Sequence, residues 1–534
     1  MSKISSSDYC TIVIYLLGIV LLGLYYGRKT NKTSTGYFFA GNSLKWPVIG
    51  ASLFAANIST VHLVGLAESG YVDGIVWGNF EWFSSFELIL LALIFIPFYL
   101  RTKIKTLPAF LAIRYDERSR TLLAIFSVLS ALFMHIGVSM YAGAIVFNEI
   151  FGLDIFVSVL IIAISTGIYT IVGGLNSVVI TETLQTIILI IGALTLTVLA
   201  IMKLPQINIY SLTDLRNALN SDHLSAVSFN AEKTGFTFFD ILLGHLVLGI
   251  WYWCTDQTIV QRVLAAESIN QARLGAIFAG FLKILPVFIM VIPGVLAFLL
   301  FKEDIGDSTK NVLPTMIVKL LPVGLKGLMI AALLAAVMSS IAAALNSVST
   351  LIVYDIMPKI RKNLSDSLKI KLGRFFGVAT LVFAVIWSPF IGSLGGIFEV
   401  INQLFAIFAP SIVAVFLWGI LFKVGTSNAS LYTLIIGSLL PFVFFIIEKF
   451  VMIHNISNYI SSSSGLHINW LRQTYLNFIL ASLIYFTISF VERGWRTIKI
   501  EFNEELLPLQ IQSYFKWSMA TLIIVLLIIY CIFY

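Results

Sequence analysis

The sequence predicts an all-α integral membrane protein that crosses the bilayer about fourteen times. Of its 534 residues, 59% are hydrophobic and only 11% are charged, whereas soluble globular proteins carry about 25% charged residues. Apolar segments of about 20 residues, the length that spans the hydrocarbon core, also follow one another along the whole chain. The predicted spans are residues 9–27, 47–70, 79–100, 121–149, 153–173, 177–202, 237–261, 271–301, 323–355, 372–391, 395–421, 427–450, 469–491 and 514–534.

The basic residues predict the orientation of the chain. A net charge of +7 would favour a nucleic-acid partner in a soluble protein, but these lysines and arginines lie in short connections between apolar segments. With the N-terminus outside, the basic connections, among them 28–45, 101–120, 359–374 and 493–499, fall inside. The positive-inside rule therefore predicts that both termini lie outside, with the lipid bilayer and no nucleic acid as partner. The Ile- and Lys-rich composition favours the plasma membrane of a bacterium, its inner membrane.

Several other classes of segment and site are not expected. Only Lys3 precedes the first apolar run and no cleavage signal follows before Arg28, so this run is predicted to be a retained helix. The cysteines are widely separated and indicate neither a disulfide framework nor a zinc site. These cysteines are Cys10, Cys254 and Cys531. The sequence contains no HExxH, GxSxG or P-loop motif, so no enzyme and no cofactor are expected.

The charged residues Glu81 and Lys283 lie inside apolar spans. Glu81 falls in the span 79–100, and Lys283 falls in 271–301 shortly before Pro286. Because a charge at bilayer depth costs several kcal/mol without a partner or water, each is a hypothesis of function. The alternative is that both lie near helix ends and extend toward the interface.

The span 47–70 has an unusually polar interior, with Asn57, Ser59, Thr60 and His62 near its middle. This pattern favours a broken helix whose carbonyl groups line a cavity. Hydrogen bonding between helices by Asn and Ser is the alternative.

The segment 331–347 is rich in small residues, which favours close helix packing. The adjacent Ser339 and Ser340 also offer hard oxygen ligands, which suit Na⁺ when backbone carbonyls complete the set.

Elsewhere, Trp251 to Trp253 precede a group of polar residues, Asp256, Gln257, Gln261 and Arg262. These aromatic residues fit either an interfacial belt or the stacking of a sugar ring.

Five sequence blocks together resemble the sodium/solute symporter family, and within it the sodium/glucose and bacterial sodium/galactose branch. The similarity extends from about residue 8 to 425. The blocks are GYFFAGNSLKWPVIGASLFAANIS, IYTIVGGLNSVVITETLQTIIL, WYWCTDQTIVQRVLAA, LPVGLKGLMIAALLAAVMSSIAAALNS and PSIVAVFLWGILF.

The resemblance implies one transmembrane transporter domain, 1–534, with a leucine-transporter-like 5+5 inverted-repeat core. Residues 47–202 would form the first repeat and 237–421 the second, with additional helices at 9–27 and 427–534. It also implies Na⁺ as the coupling ion. The implied sodium ligands are the carbonyls of Ala55, Ile58 and Ala336 and the hydroxyls of Ser339 and Ser340.

For the solute, the resemblance implies a polar pocket closed by hydrophobic gates. The implied pocket residues are Asn57, His62, Glu81, Ser84, Tyr252, Lys283 and Asn402. Tyr252 would also be the inner gate, and Leu66, Phe80 and Phe398 the outer gate. Glu81 and Lys283 together resemble the sugar-transporting branch, which favours a monosaccharide such as galactose or glucose.

The sequence departs from the galactose-carrier pattern at three positions. Gly249 and His135 each stand where that pattern has asparagine, and Asn402 stands in place of glutamine. The alternatives are therefore a sodium symporter for myo-inositol, a sugar acid or another organic solute, or a non-transporting sensor of the same fold. Glu182 matches an acidic position on a second cation path, where it either helps sodium to leave or binds a second ion.

Overall fold

The described chain is almost entirely helical. This computed structural model describes residues 4–30, 32–219, 221–228, 235–306, 308–394, 397–450, 469–493 and 512–534. Within these ranges there is no strand, and the one isolated β-bridge joins Leu44 to Ala266. The all-α prediction is confirmed.

The main helices are numbered in chain order, and shorter ones connect them. They are α1 (Ser6–Thr30), α2 (Trp46–Asn57), α3 (Thr60–Val72), α4 (Ile75–Arg101), α5 (Glu117–Asn148), α6 (Ile155–Lys203), α7 (Phe238–Thr255), α8 (Gln257–Leu264), α9 (Ile269–Leu300), α10 (Leu325–Ile360), α11 (Asp366–Trp387), α12 (Ile397–Leu421), α13 (Ser427–Phe450), α14 (Trp470–Arg493) and α15 (Ser513–Ile532). The connecting helices include Ser34–Phe39, Leu107–Arg114, Leu212–Ala218, Lys302–Ile305 and Val312–Leu320.

The number of membrane-spanning helices agrees with about fourteen predicted segments. Among the described residues, twelve helices are long and apolar enough to span a bilayer, and the bent pair α2 and α3 adds a thirteenth. Helix α6 covers the two predicted spans 153–173 and 177–202. It bends between them at Gly174, where φ is 64°. A Cβ there would lie 2.4 Å from the Tyr37 carbonyl oxygen, so the bend requires glycine. The chain is a multi-pass membrane protein.

Helix α10 lies at the centre of the fold, surrounded by other helices and buried along nearly its whole length. Its alanines allow close approach by α6 and α1, which pack along it. The packing interpretation of the small residues in 331–347 is therefore correct, and it leaves the two serines of that segment to be explained.

Two predicted spans are interrupted. Helix α7 ends at Thr255, before the end of the predicted span 237–261, because Asp256 is extended and its side chain accepts the Thr258 N–H at 2.6 Å, capping α8. Helix α9 is interrupted at Lys283. Pro286 explains this interruption, since proline cannot donate the hydrogen bond that the carbonyl four residues earlier would accept.

Candidate functional site

The break between α2 and α3 creates the first part of the site. The two helices meet at 64°, and the backbone is extended at Ile58 and Ser59. The last carbonyl groups of α2 therefore lack partners within their own helix. The predicted broken helix in 47–70 is confirmed.

Two serine hydroxyls of α10 lie against the end of α2. Ser339 Oγ is 2.8 Å from the carbonyl oxygen of Ala55 and 3.1 Å from that of Ala336. Ser340 Oγ is 3.1 Å from the Ala336 oxygen and 3.4 Å from the carbonyl oxygen of Ile58. The structure thus brings together all five oxygens that the sequence analysis named as sodium ligands.

This oxygen cluster suits a small monovalent cation. Its members are neutral carbonyl and hydroxyl oxygens, and they lie at the C-terminal, partially negative end of α2. The hydroxyls now donate to carbonyl groups, but each also has lone pairs that can face an ion. Within the described ranges, no group of three His, Cys, Asp or Glu side chains is placed to hold a metal ion.

A buried ion pair lies beside the cluster. The side chains of Lys283 and Glu81 are 1% and 4% exposed and form a close salt bridge. Lys283 Nζ also donates to Asn57 Oδ1 at 2.7 Å and lies 5.7 Å from the centre of the Trp253 ring. Both charges are therefore buried and paired, rather than extended toward the interface.

His62 is held by the helix break itself. Its Nδ1 lies 3.2 Å from the backbone nitrogen of Ser59, the N-cap residue of α3, and 3.0 Å from the Ser59 hydroxyl. When Nδ1 accepts the N–H, a neutral ring carries its proton on Nε2. His62 then offers one N–H donor.

The other predicted pocket residues differ in their surroundings. Ser84 is buried, and its hydroxyl donates to the Phe80 carbonyl one turn earlier, at 2.9 Å. Tyr252 is half-buried, with its ring centre 5.2 Å from that of Trp253 and 6.2 Å from that of His135. The Asn402 side chain lies outside the described part of the structure.

The predicted outer-gate residue Phe80 lies in an aromatic cluster. Its ring stacks on Trp77 at 5.4 Å and on Trp470 at 5.9 Å, and it meets Phe236 edge-on at 6.0 Å. Leu66 is buried in the main hydrophobic core. The Phe398 side chain is outside the described residues.

Glu182 lies in a fully buried ion pair. Its Oε1 is 2.5 Å from Arg262 Nη2, and Ser52 bonds to both side chains. This arrangement links α2, α6 and α8. Its positive partner is a protein side chain, and a role for Glu182 on a cation path stays a prediction.

The polar residues after Trp253 also make structural contacts. Gln257 accepts the Leu107 N–H at 2.8 Å, and Gln261 donates to Thr350 at 2.7 Å. His135 Nε2 lies 3.0 Å from Asp256 Oδ2.

A cavity of about 430 Å³ lies beside Asp256 and Trp251, and another of about 460 Å³ lies near Lys103.

One polar pair was missed by sequence reasoning. Glu87, on α4, is fully buried, and its Oε1 lies 2.8 Å from His245 Nδ1 on α7. Gly249, one helical turn after His245, packs directly on this carboxyl group. A second carboxylate only six residues after Glu81, within one apolar span, was the signal that could have indicated it.

The discontinuous helix, with its freed carbonyls beside a buried polar pair, is typical of secondary transporters. The fold supports this class. The structure matches that of a Na⁺-coupled sialic acid symporter with a TM-score of 0.78 at 22% identity, over 92% of this chain and 100% of that one. A nucleobase-cation-symport-1 family transporter matches with a TM-score of 0.53 at 13% identity, over 88% of this chain and 98% of that one.

Sequence comparison identifies the family. Residues 37–437 match the Sodium:solute symporter family. Sodium/glucose cotransporter 1 of Ovis aries is 34% identical over 82% of this chain and 71% of its own length. The Homo sapiens sodium/myo-inositol cotransporter is 33% identical over 80% of this chain and 65% of its own. The chain belongs to the sodium:solute symporter family, which consists of transporters and not enzymes, and it has the leucine-transporter-like fold.

Proposed function

We propose that this protein imports a monosaccharide such as galactose or glucose by sodium-coupled symport. The observation that carries the proposal is that one short segment, Ala55 to Ile58, contributes to both parts of the site. Its carbonyls meet the α10 serines, while its Asn57 side chain accepts a hydrogen bond from Lys283. A cation bound at the carbonyls would therefore fix a side chain of the solute pocket.

The polar groups suit a neutral solute with several hydroxyls. Glu81 can accept, Lys283 and His62 can donate, and Asn57 can do both. Because Glu81 and Lys283 neutralise each other, this pair leaves no net charge among the described pocket residues to match a charged solute. This favours a hexose over a sugar acid. A sodium/glucose cotransporter among the relatives supports a hexose. A sodium/myo-inositol cotransporter among them makes myo-inositol the second candidate.

Transport would follow an alternating-access cycle. Sodium binds at Ala55, Ile58, Ala336, Ser339 and Ser340 from outside and orders the helix break. The solute then binds, the gate residues close over it, and the core reorients. Sodium must bind the outward-facing state better than the inward-facing one, since only a difference in affinity shifts an equilibrium. A membrane potential of 100 mV adds about 2.3 kcal/mol per charge moved.

The gates follow from the same assignment. Phe80 and Leu66, with Phe398, would close the outer side, and Tyr252 would separate the solute from the inner side. The aromatic contacts of Phe80 support a closed outer gate in this conformation. The setting that we propose is a bacterial plasma membrane with both termini outside.

The test is a binding and uptake panel on the purified protein in proteoliposomes. Labelled galactose, glucose and myo-inositol are each added outside the proteoliposomes. One set of assays uses sodium outside, and the matched set replaces that sodium with potassium. We expect sodium-dependent uptake of a hexose, with unlabelled hexoses competing better than sugar acids. Binding without uptake would favour a sensor, and preferential uptake of myo-inositol would favour the second candidate.

A further inference from the structure

A further ionisable pair lies in the core, separate from the two buried ion pairs described above. Glu87 is fully buried, whereas the His245 side chain is 12% exposed. One carboxyl oxygen of Glu87 bonds to His245, and the other, Oε2, has no hydrogen-bond partner among the described residues. A buried carboxylate with a single partner is costly unless that partner is positively charged.

The carboxyl group is held in place by the backbone of α7. A Cβ atom added to Gly249 would lie 1.7 to 1.9 Å from all three atoms of the Glu87 carboxyl group. Glycine at this position therefore makes the room that the carboxylate occupies. The two residues of α7 placed against the Glu87 carboxyl group, His245 and Gly249, lie within one turn of each other.

Other charged groups nearby are already engaged. Lys283, the cation that interacts with Glu87 through space, is bonded to Glu81 and Asn57. On α14, Arg472 pairs with Asp240 at 2.9 Å. His245 is thus the group that can neutralise Glu87. Among the described residues, Cys254 donates to the Glu87 backbone, and Tyr530, which packs against Phe83, donates to Asn79.

The pair also touches the outer aromatic cluster. The His245 ring lies 5.0 Å from Phe80 and 6.3 Å from Phe83, in each case between ring centres. Phe80 in turn contacts Phe236. This residue ends the connection between the predicted spans 177–202 and 237–261, which lies outside when the N-terminus is outside. The protonation state of His245 can therefore influence the closing of this cluster.

We propose that Glu87 and His245 form a proton-binding site that couples closure of the outer aromatic cluster to external pH. A proton from outside water adds to Nε2 of His245, giving imidazolium beside carboxylate, and it returns to water when the cluster opens. Proton binding favours the closed state because burial of the carboxylate then has a counter-charge. The proposal takes from the proposed function the assignment of Phe80 to the outer gate and the outside position of the termini.

The direct test does not depend on any solute. The protein is labelled with ¹⁵N-histidine, placed in liposomes and measured by NMR. Of the signals from its six histidines, the one that is absent in His245→Gln belongs to His245. We expect the signal of this imidazole to report two protonation states between about pH 5 and 8, and we expect its dependence on pH to change in Glu87→Gln. A single protonation state across that range in the unmodified protein would overturn the proposal, whether or not a solute is transported.

Uptake supplies the second test. Sodium-driven uptake should fall by about tenfold between pH 6 and 9 as the proton is lost, and it should change by less than about twofold in Glu87→Gln. His245→Gln should be poorly active at every pH, and adding Glu87→Gln should restore it. Asp304→Asn, which removes an exposed ion pair with Lys319, is the control and should keep the unmodified pH profile. An unchanged profile in Glu87→Gln would contradict the coupling.

Discussion

Ser339 Oγ lies 2.8 Å from the carbonyl oxygen of Ala55 and so joins the central helix α10 to the last turn of α2. Ser340 Oγ lies 3.4 Å from the carbonyl oxygen of Ile58, within the helix break. A change at either serine should therefore act on the cation and not on packing alone.

Ser340→Ala is expected to weaken sodium dependence without preventing membrane insertion. Loss of one polar contact to a charged group costs about 1.5 to 3 kcal/mol, which raises the half-saturating sodium concentration about ten- to hundredfold. The measurement is uptake as a function of sodium concentration. Ser347→Ala, on the same helix, is the control, since that hydroxyl has no hydrogen-bond partner among the described residues. Equal sodium dependence in all three proteins would remove Ser340 from the site.

Glu81→Ala is expected to abolish solute uptake while the protein still inserts. The substitution leaves the Lys283 charge buried and unpaired, which costs about 3 to 5 kcal/mol, and it removes an acceptor from the pocket. Uptake and thermal stability should be measured together. Asp304→Ala, in an exposed ion pair, should leave both nearly unchanged. Normal uptake by Glu81→Ala would exclude Glu81 from the solute pocket.

Gly249→Ala should destabilise the protein, and Glu87→Ala should relieve the effect. The new methyl group would overlap the Glu87 carboxyl group, and such overpacking costs about 1 to 3 kcal/mol. In the Glu87→Ala background the same methyl group has space. Thermal unfolding of the two single variants and the double variant measures this coupling, and purely additive effects would show that the two positions are independent.

Glu182→Gln should lower the folded yield even without sodium, because it removes the charge that pairs with Arg262 in the core. Expression and thermal stability should therefore fall, and adding Arg262→Met should restore part of the loss. If Glu182 also binds a second ion, the number of sodium ions transported per solute molecule will change in the folded fraction. An unchanged ratio would leave Glu182 with the structural role alone.

Local patterns in the sequence were sufficient to predict the spans and the helix break. Polar residues in the middle of 47–70 indicated the break, because a helix break arises within a few residues. The interruption of α9 likewise has a local cause in Pro286. Lys283 and Glu81 were each noticed as charges in apolar spans. The resemblance to a known family named them as a pair, and the structure shows their direct contact.

Contacts between distant segments were harder to predict. Glu87 and His245 lie 158 residues apart in sequence, and nothing local to either residue indicates the other. The space for the Glu87 carboxyl group depends on the missing side chain of Gly249 on a neighbouring helix, which a single sequence read by itself does not reveal. Phe80 and Trp470 stack across a much longer separation in sequence.

Sodium-driven accumulation in proteoliposomes tests the central claim most directly. Labelled hexose is supplied outside, with an inward sodium gradient imposed on the unmodified protein and on Ser340→Ala. We predict that the unmodified protein raises the internal hexose concentration above the external one and loses this ability when the gradient is dissipated, while Ser340→Ala needs more sodium. Hexose that only equilibrates, or that accumulates equally with potassium, would contradict sodium-coupled sugar symport.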